Sequence, residues 1–129
     1  MNIYLAGPLF TAAELAFNQD LASMLRCEGH EVYLPQEHQK GTMGVVFRRN
    51  VERLRWADAV VAVLDGADVD SGTAWECGFA YASSKPVFGF RTDSRIFGLG
   101  GEIINLQVRE AVTLLHKATD LLRSVRQAG

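Results

Sequence analysis

The run "DAVVAVLDGADVDSGTAWECGFAYA", Asp58 to Ala82, decides the fold. Its first part, "DAVVAVLD", is uninterrupted Ala, Val and Leu at the centre, which predicts a central parallel strand covered on both faces. "GADVDSG" is the loop that follows, and Thr73 to Ser83 the next helix. Glu76 then stands inside an otherwise apolar helix, where a carboxylate is costly if the helix only packs. Either it points to water, or it sits in a pocket and has a job.

Working outward, the same alternation recurs. "NIYLA", Asn2–Ala6, is short, apolar and ends at Gly7-Pro8, a strand running into a turn. Thr11-x-x-Glu14 matches a helix capping box. After it, Leu15, Phe17, Leu21, Met24 and Leu25 favour one face, with Gly29 as a stop. "EVYLP" is a strand, "QEHQKGT" a loop, and Met43 to Ala57 a second helix. "PVFGFR" is the fourth strand, with Pro86 where a missing N–H is tolerated. "AVTLL" is a fifth strand, and "TDLLRSVRQ" a last helix capped by Thr119 or Asp120. Strands alternating with helices predict an α/β chain: a single-domain, doubly wound, five-stranded parallel sheet with helices on both faces, Rossmann- or flavodoxin-like. Ligands in such folds bind beyond the carboxyl ends of the strands, so "GPLFTAA", "QEHQKGTMG" and "DGADVDSG" are the loops that matter.

Composition narrows the function. With 129 residues, 48% apolar and 22% charged, one globular domain spanning 1–129 is expected. A net charge of −2 gives no electrostatic case for nucleic acid or an anionic membrane. The N-terminus lacks the charged leader and apolar run of a signal peptide, and no stretch is long enough to span a bilayer. A cytoplasmic location and reduced Cys27 and Cys77 are the resulting expectations.

Asp70 lies in the loop after the central strand, and Glu76 follows six residues later, about one turn into the helix. The helix N-terminus favours an ionised carboxylate nearby by about 1 kcal/mol, the right direction for a nucleophile. Two carboxyl groups around one sugar can divide the labour of glycosidic cleavage. On spacing alone the alternative stands beside it: Asp70 caps the helix and Glu76 is solvated.

Three blocks carry a resemblance: "IYLAGPLF", "NVERLRWADAVVAVLDG" and "DSGTAWECGFAYASSKPVFGFRTD", with a weaker echo at "INLQV". Together, from Ile3 to about Asp93, the chain resembles the nucleoside 2-deoxyribosyltransferase family. The resemblance implies that Glu76 is the nucleophile forming a covalent 2-deoxyribosyl intermediate, and that Tyr4 hydrogen-bonds and orients it. It implies that Asp70 grips sugar hydroxyls, and that Gly7, Pro8 and Phe10 line the base pocket. Gly72 lets backbone approach the ligand. Where several relatives carry an aspartate thought to deliver a proton to the base, this chain has Asn50, which can hydrogen-bond but not transfer a proton at neutral pH. Asn105 in "IINLQV" matches an asparagine donated by a neighbouring subunit, so a homo-oligomer with a shared site is expected. Residue by residue, the bland readings remain: Tyr4 a core aromatic, Gly7-Pro8 a turn, Asn105 a helix cap.

The implied function is transfer of 2-deoxyribose between nucleobases by double displacement, without cofactor or metal, on small-molecule deoxynucleosides. The alternatives are a 2′-deoxynucleoside or deoxynucleotide N-glycoside hydrolase, and a non-catalytic nucleotide-sensing module on the same fold. The turn "GPLFTAAE" has no arginine, which favours unphosphorylated nucleosides. The Gly-Thr-x-x-Glu element is also similar to that of phosphoribohydrolases of the cytokinin-activating type, but their Pro-Gly-Gly run is absent.

Other signals are discounted. "GLGG", Gly98–Gly101, lacks the third glycine of a dinucleotide loop. His30, His38 and His116 are scattered, and Ser71 is not in a nucleophile elbow. Cys77, Trp56 and Trp75 are expected in the core, and the Arg48, Arg49, Arg53, Arg55 run on a solvated face.

Overall fold

A computed structural model of the chain describes residues 1–96, 100–101 and 103–129. Gly98 and Leu99 of the GLGG run lie outside the described residues. Five strands, β1 (Asn2–Ala6), β2 (Glu31–Tyr33), β3 (Ala59–Val63), β4 (Val87–Phe90) and β5 (Thr113–Leu115), form one sheet in the order β2-β1-β3-β4-β5. Every pairing is parallel, with Tyr4 opposite Tyr33 on one side and Val60 on the other. This is the doubly wound arrangement expected, and its direction of winding reverses at β1, beside β3.

Period-2 alternation divides the core in two. Ile3 and Leu5 of β1, with Val61, Val63, Phe88 and Phe90, face α1 (Ala12–Cys27) and α5 (Ala118–Ala128). Tyr4 and Ala6, with Val60, Ala62 and Val87, face α2 (Met43–Trp56), α3 (Ser71–Ala82) and α4 (Leu106–Ala111). All five residues of β3 are buried, which is why that run reads as continuously apolar. Gly89 fits beneath Leu64 and Val112, where an added Cβ would come within 2.7 Å of both side chains.

Local chemistry sets most boundaries. Thr11 and Glu14 form the capping box of α1, and Gly29, at φ +87, takes the left-handed turn that follows it. On α1 the buried face is Asn18, Leu21, Ala22 and Leu25, whereas Leu15 and Met24 are exposed. α5 starts at Ala118 after Lys117 and has no side-chain cap, so neither Thr119 nor Asp120 caps it. α3 begins at Ser71, two residues before the sequence reading placed it. β2 ends at Tyr33, and Pro35–Glu37 forms a single 3₁₀ turn that takes in the last residue of the expected strand and the first two of the expected loop; α4 is a helix that the sequence does not predict. Among the described residues, no helix is long and apolar enough to cross a membrane.

Candidate active site

β1, through Tyr4, meets α3 at Glu76. Tyr4 is fully buried on β1 and its hydroxyl donates to Glu76 Oε1 at 2.7 Å, across 72 residues of sequence. Burial and the adjacent Glu76 carboxylate raise the Tyr4 phenol well above its ordinary range, so it stays a donor. Glu76 is itself half-buried, and loss of hydration pushes its carboxyl up to about 7. The Tyr4 hydrogen bond opposes that rise and the Asp70 charge adds to it. The helix terminus, a favourable influence of about 1 kcal/mol on an ionised carboxylate, is not what decides the outcome. Glu76 is the sixth residue of α3, beyond the first turn where that influence is felt, and desolvation prevails.

Asp70 does cap α3: its Oδ2 accepts from the Thr73 backbone N–H at 3.0 Å and from the Thr73 hydroxyl at 3.1 Å. Both bonds fall on the same oxygen, and Oδ1 has no partner among the described residues. The cap and a ligand contact are therefore compatible. Gly72 sits against that carboxylate, an added Cβ lying 3.2 Å from Oδ2.

Glu76 opens into a cleft of about 290 Å³ lined by Phe47, Asn50, Val51, Gly72 and Trp75. Trp75 is half exposed, not core as its sequence suggested, and stands 5.9 Å from the Phe47 ring and 5.6 Å from Phe79. Asn50 Oδ1 accepts from the Tyr33 hydroxyl at 3.0 Å. Phe47, Val51 and Tyr33 were not singled out by sequence. For the first two the signal is helical spacing, Phe47, Asn50 and Val51 recurring at i, i+3 and i+4 on α2; Tyr33, on β2, carries none.

The other expected residues lie elsewhere in the chain. Gly7 is packed between Asn18 and Val63, with an added Cβ 3.1 Å from each. The Pro8 carbonyl accepts from Asn18 Nδ2 at 2.8 Å, and Pro8 lines a separate cleft with Glu14, Phe17 and Asp65. Phe10 is 74% exposed on the β1–α1 turn. Asn105 caps α4 through Gln107 N–H at 2.9 Å and lines a groove on the α4 side of α3 with Cys77, Gly78 and Tyr81. Within one chain, none of these four lines the Glu76 cleft. Cys77 is buried, its thiol pushed up to about 12, so it stays protonated. Among the described residues, no group of three His, Cys, Asp or Glu side chains is placed to hold a metal.

Residues 3–111 match the model of the nucleoside 2-deoxyribosyltransferase family. The chain belongs to that family. No curated protein matches it by sequence. Among solved structures, it is similar to a 2-deoxyribosyltransferase from Bacillus psychrosaccharolyticus at 32% identity and a TM-score of 0.80, covering 95% of this chain and 90% of that one. A conserved protein from Enterococcus faecalis V583 aligns at 29% identity and a TM-score of 0.85, covering 98% and 97%. A Leishmania mexicana 2-deoxyribosyltransferase shares the fold at 21% identity and a TM-score of 0.80, covering 98% and 97%. Family membership makes this a glycosyl-handling α/β protein, and the Tyr4–Glu76 pair lies inside the matched segment.

Proposed function

We propose that the protein transfers 2-deoxyribose between nucleobases by double displacement through a glycosyl ester on Glu76. The observation that carries this reading is a half-buried carboxylate on a cleft wall, aligned by a 2.7 Å hydrogen bond from a buried tyrosine. An ionised Glu76 oxygen bonds to the anomeric carbon as the first base departs; the second base then attacks that carbon and expels the carboxylate. Tyr4 fixes which oxygen is free to attack. The unpartnered oxygen of Asp70 takes a sugar hydroxyl while its other oxygen keeps the helix capped. A 2′-hydroxyl would withdraw electron density from the oxocarbenium-like transition state and crowd Glu76, which favours deoxy sugars.

Unphosphorylated nucleosides are the substrate class. The turn after β1 holds no cation, and the Glu14 carboxylate there is held below its usual range by N–H groups of Thr11 and Phe10. In an oligomer, Asn105 of a second copy completes the sugar site; its exposure beside exposed Ile103 and Leu106 suits a contact between copies.

The test is base exchange. A deoxynucleoside mixed with a second free base should yield the exchanged nucleoside, and a mixture of Glu76→Ala and Asn105→Ala proteins, each inactive alone, should recover activity. Release of free deoxyribose at full rate without a second base would make the protein a hydrolase. Undiminished turnover by Glu76→Ala would remove Glu76 from the chemistry.

A further inference from the structure

Tyr33 ends β2 and is buried. His38 stacks on it at 4.6 Å and 8°, the Arg53 guanidinium lies 5.5 Å from its centroid, and Tyr4 is tilted against it at 5.4 Å. Its hydroxyl has one acceptor among the described residues, Asn50 Oδ1 at 3.0 Å. A buried O–H that is not given an acceptor is costly, and only the amide oxygen can serve. Turning the amide over would place NH₂ against the hydroxyl and leave that O–H without an acceptor. The Asn50 amide is therefore polarised: oxygen toward Tyr33, NH₂ away from it, on a side chain that lines the cleft with Glu76. That NH₂ has no partner among the described residues, and the remaining cleft side chains, Phe47, Val51 and Trp75, offer aromatic and aliphatic surface.

We propose that Tyr33 is a positioning residue that locks Asn50 as a donor-only contact, so that the site selects nucleobases presenting an acceptor beside the glycosidic nitrogen. A pyrimidine O2 or a purine N3 has that character. The inference rests on the glycosyl-transfer reading and deepens it. It also fixes how the base leaves. Glu76 forms the bond to the anomeric carbon, the carbon–nitrogen bond breaks, and its electron pair stays on the base. The Asn50 N–H hydrogen-bonds the departing base but keeps its proton. Solvent water protonates the released base, and the incoming base gives its N–H proton to solvent as it bonds to the same carbon, so the proton count closes.

Equilibrium binding of free bases tests the lock apart from the chemistry. Two probe pairs are titrated into wild type and Glu76→Gln: adenine with 3-deazaadenine, and cytosine with 4-aminopyrimidine, which lacks the 2-oxo group. The analogue of whichever parent binds should bind about tenfold more weakly to both proteins. In Asn50→Ala that gap should close to about twofold, and in Tyr33→Phe it should narrow because the amide is free to turn; a purely structural role would weaken parent and analogue equally. A gap unchanged in Asn50→Ala or in Tyr33→Phe, or no binding of either parent, overturns the inference. A covalent sugar adduct with a flat gap sinks this inference alone; a full gap with no adduct sinks the transfer reading alone.

Discussion

The two faces of the sheet are built from the same strands and do different work. Toward α1 and α5, Ile3, Leu5, Leu21, Leu25, Val61 and Leu121 make a dry core with almost no exposure. Toward α2 and α3, the same strand β1 offers Tyr4, whose hydroxyl meets Glu76, and the layer above is poorly sealed. Leu54 is the buried residue of α2, while Met43 is 91% and Phe47 56% exposed. One face spends its apolar surface on stability. The other leaves apolar surface uncovered around a carboxylate that burial disfavours, an arrangement expected where stability is given up for a site.

Truncation should expose this difference most strongly. Leu21→Ala, on the dry face, should cost about 2–5 kcal/mol in denaturant unfolding. Phe47→Ser, on the cleft face, should change stability by no more than about 0.5 kcal/mol. Equal losses would erase the distinction between the faces.

Electrostatics sharpens it. The Glu76 carboxyl is raised in the folded chain from an ordinary 4.5 to about 7, so the folded state holds its proton where the unfolded state has released it. Stability is then full below pH 4.5, declines as pH rises through about 7, and levels off above. Glu76→Gln should therefore be more stable than wild type by about 1–3 kcal/mol at pH 8, with the advantage gone at pH 4. A Glu76→Gln protein no more stable at pH 8 would mean the carboxylate is well solvated.

A smaller effect falls on the pH profile of exchange. Activity requires ionised Glu76 and should rise through about pH 7. Tyr4→Phe removes a hydrogen bond that favours the carboxylate and should move this limb to higher pH. Asp70→Asn removes a like charge while keeping a good helix cap, and should move it lower. Shifts in the same direction in both variants would contradict the assigned pair of influences.

The sheet was legible because its strands are short apolar runs between turn residues, and β3, buried on both faces, cannot be mistaken for a surface element. The failures have particular causes. α4 has six residues, too few to show a helical period, and α5 starts at Ala118 behind a residue with no capping side chain. Asn18 is buried and Leu15 exposed because the α1 face is set by Pro8 and Gln36, which bond Asn18 from the β1–α1 turn and the 3₁₀ turn after β2. The site was legible only in pieces. Spacing brought Asp70 and Glu76 near one helix start, but nothing in it links Glu76 to Tyr4, or Asn50 to Tyr33. Each pair joins a strand tyrosine to a helix packed on that face of the sheet, and family resemblance anticipated the first but not the second.

Intact-protein and peptide mass spectrometry after mixing the protein with a 2′-deoxynucleoside, without a second base, tests the central claim most directly. An ester-linked 2-deoxyribosyl group mapping to the peptide bearing Glu76, and discharged on adding a free base, is the predicted result. Turnover with no adduct in acid-quenched samples, or an adduct mapping to another residue, would contradict it.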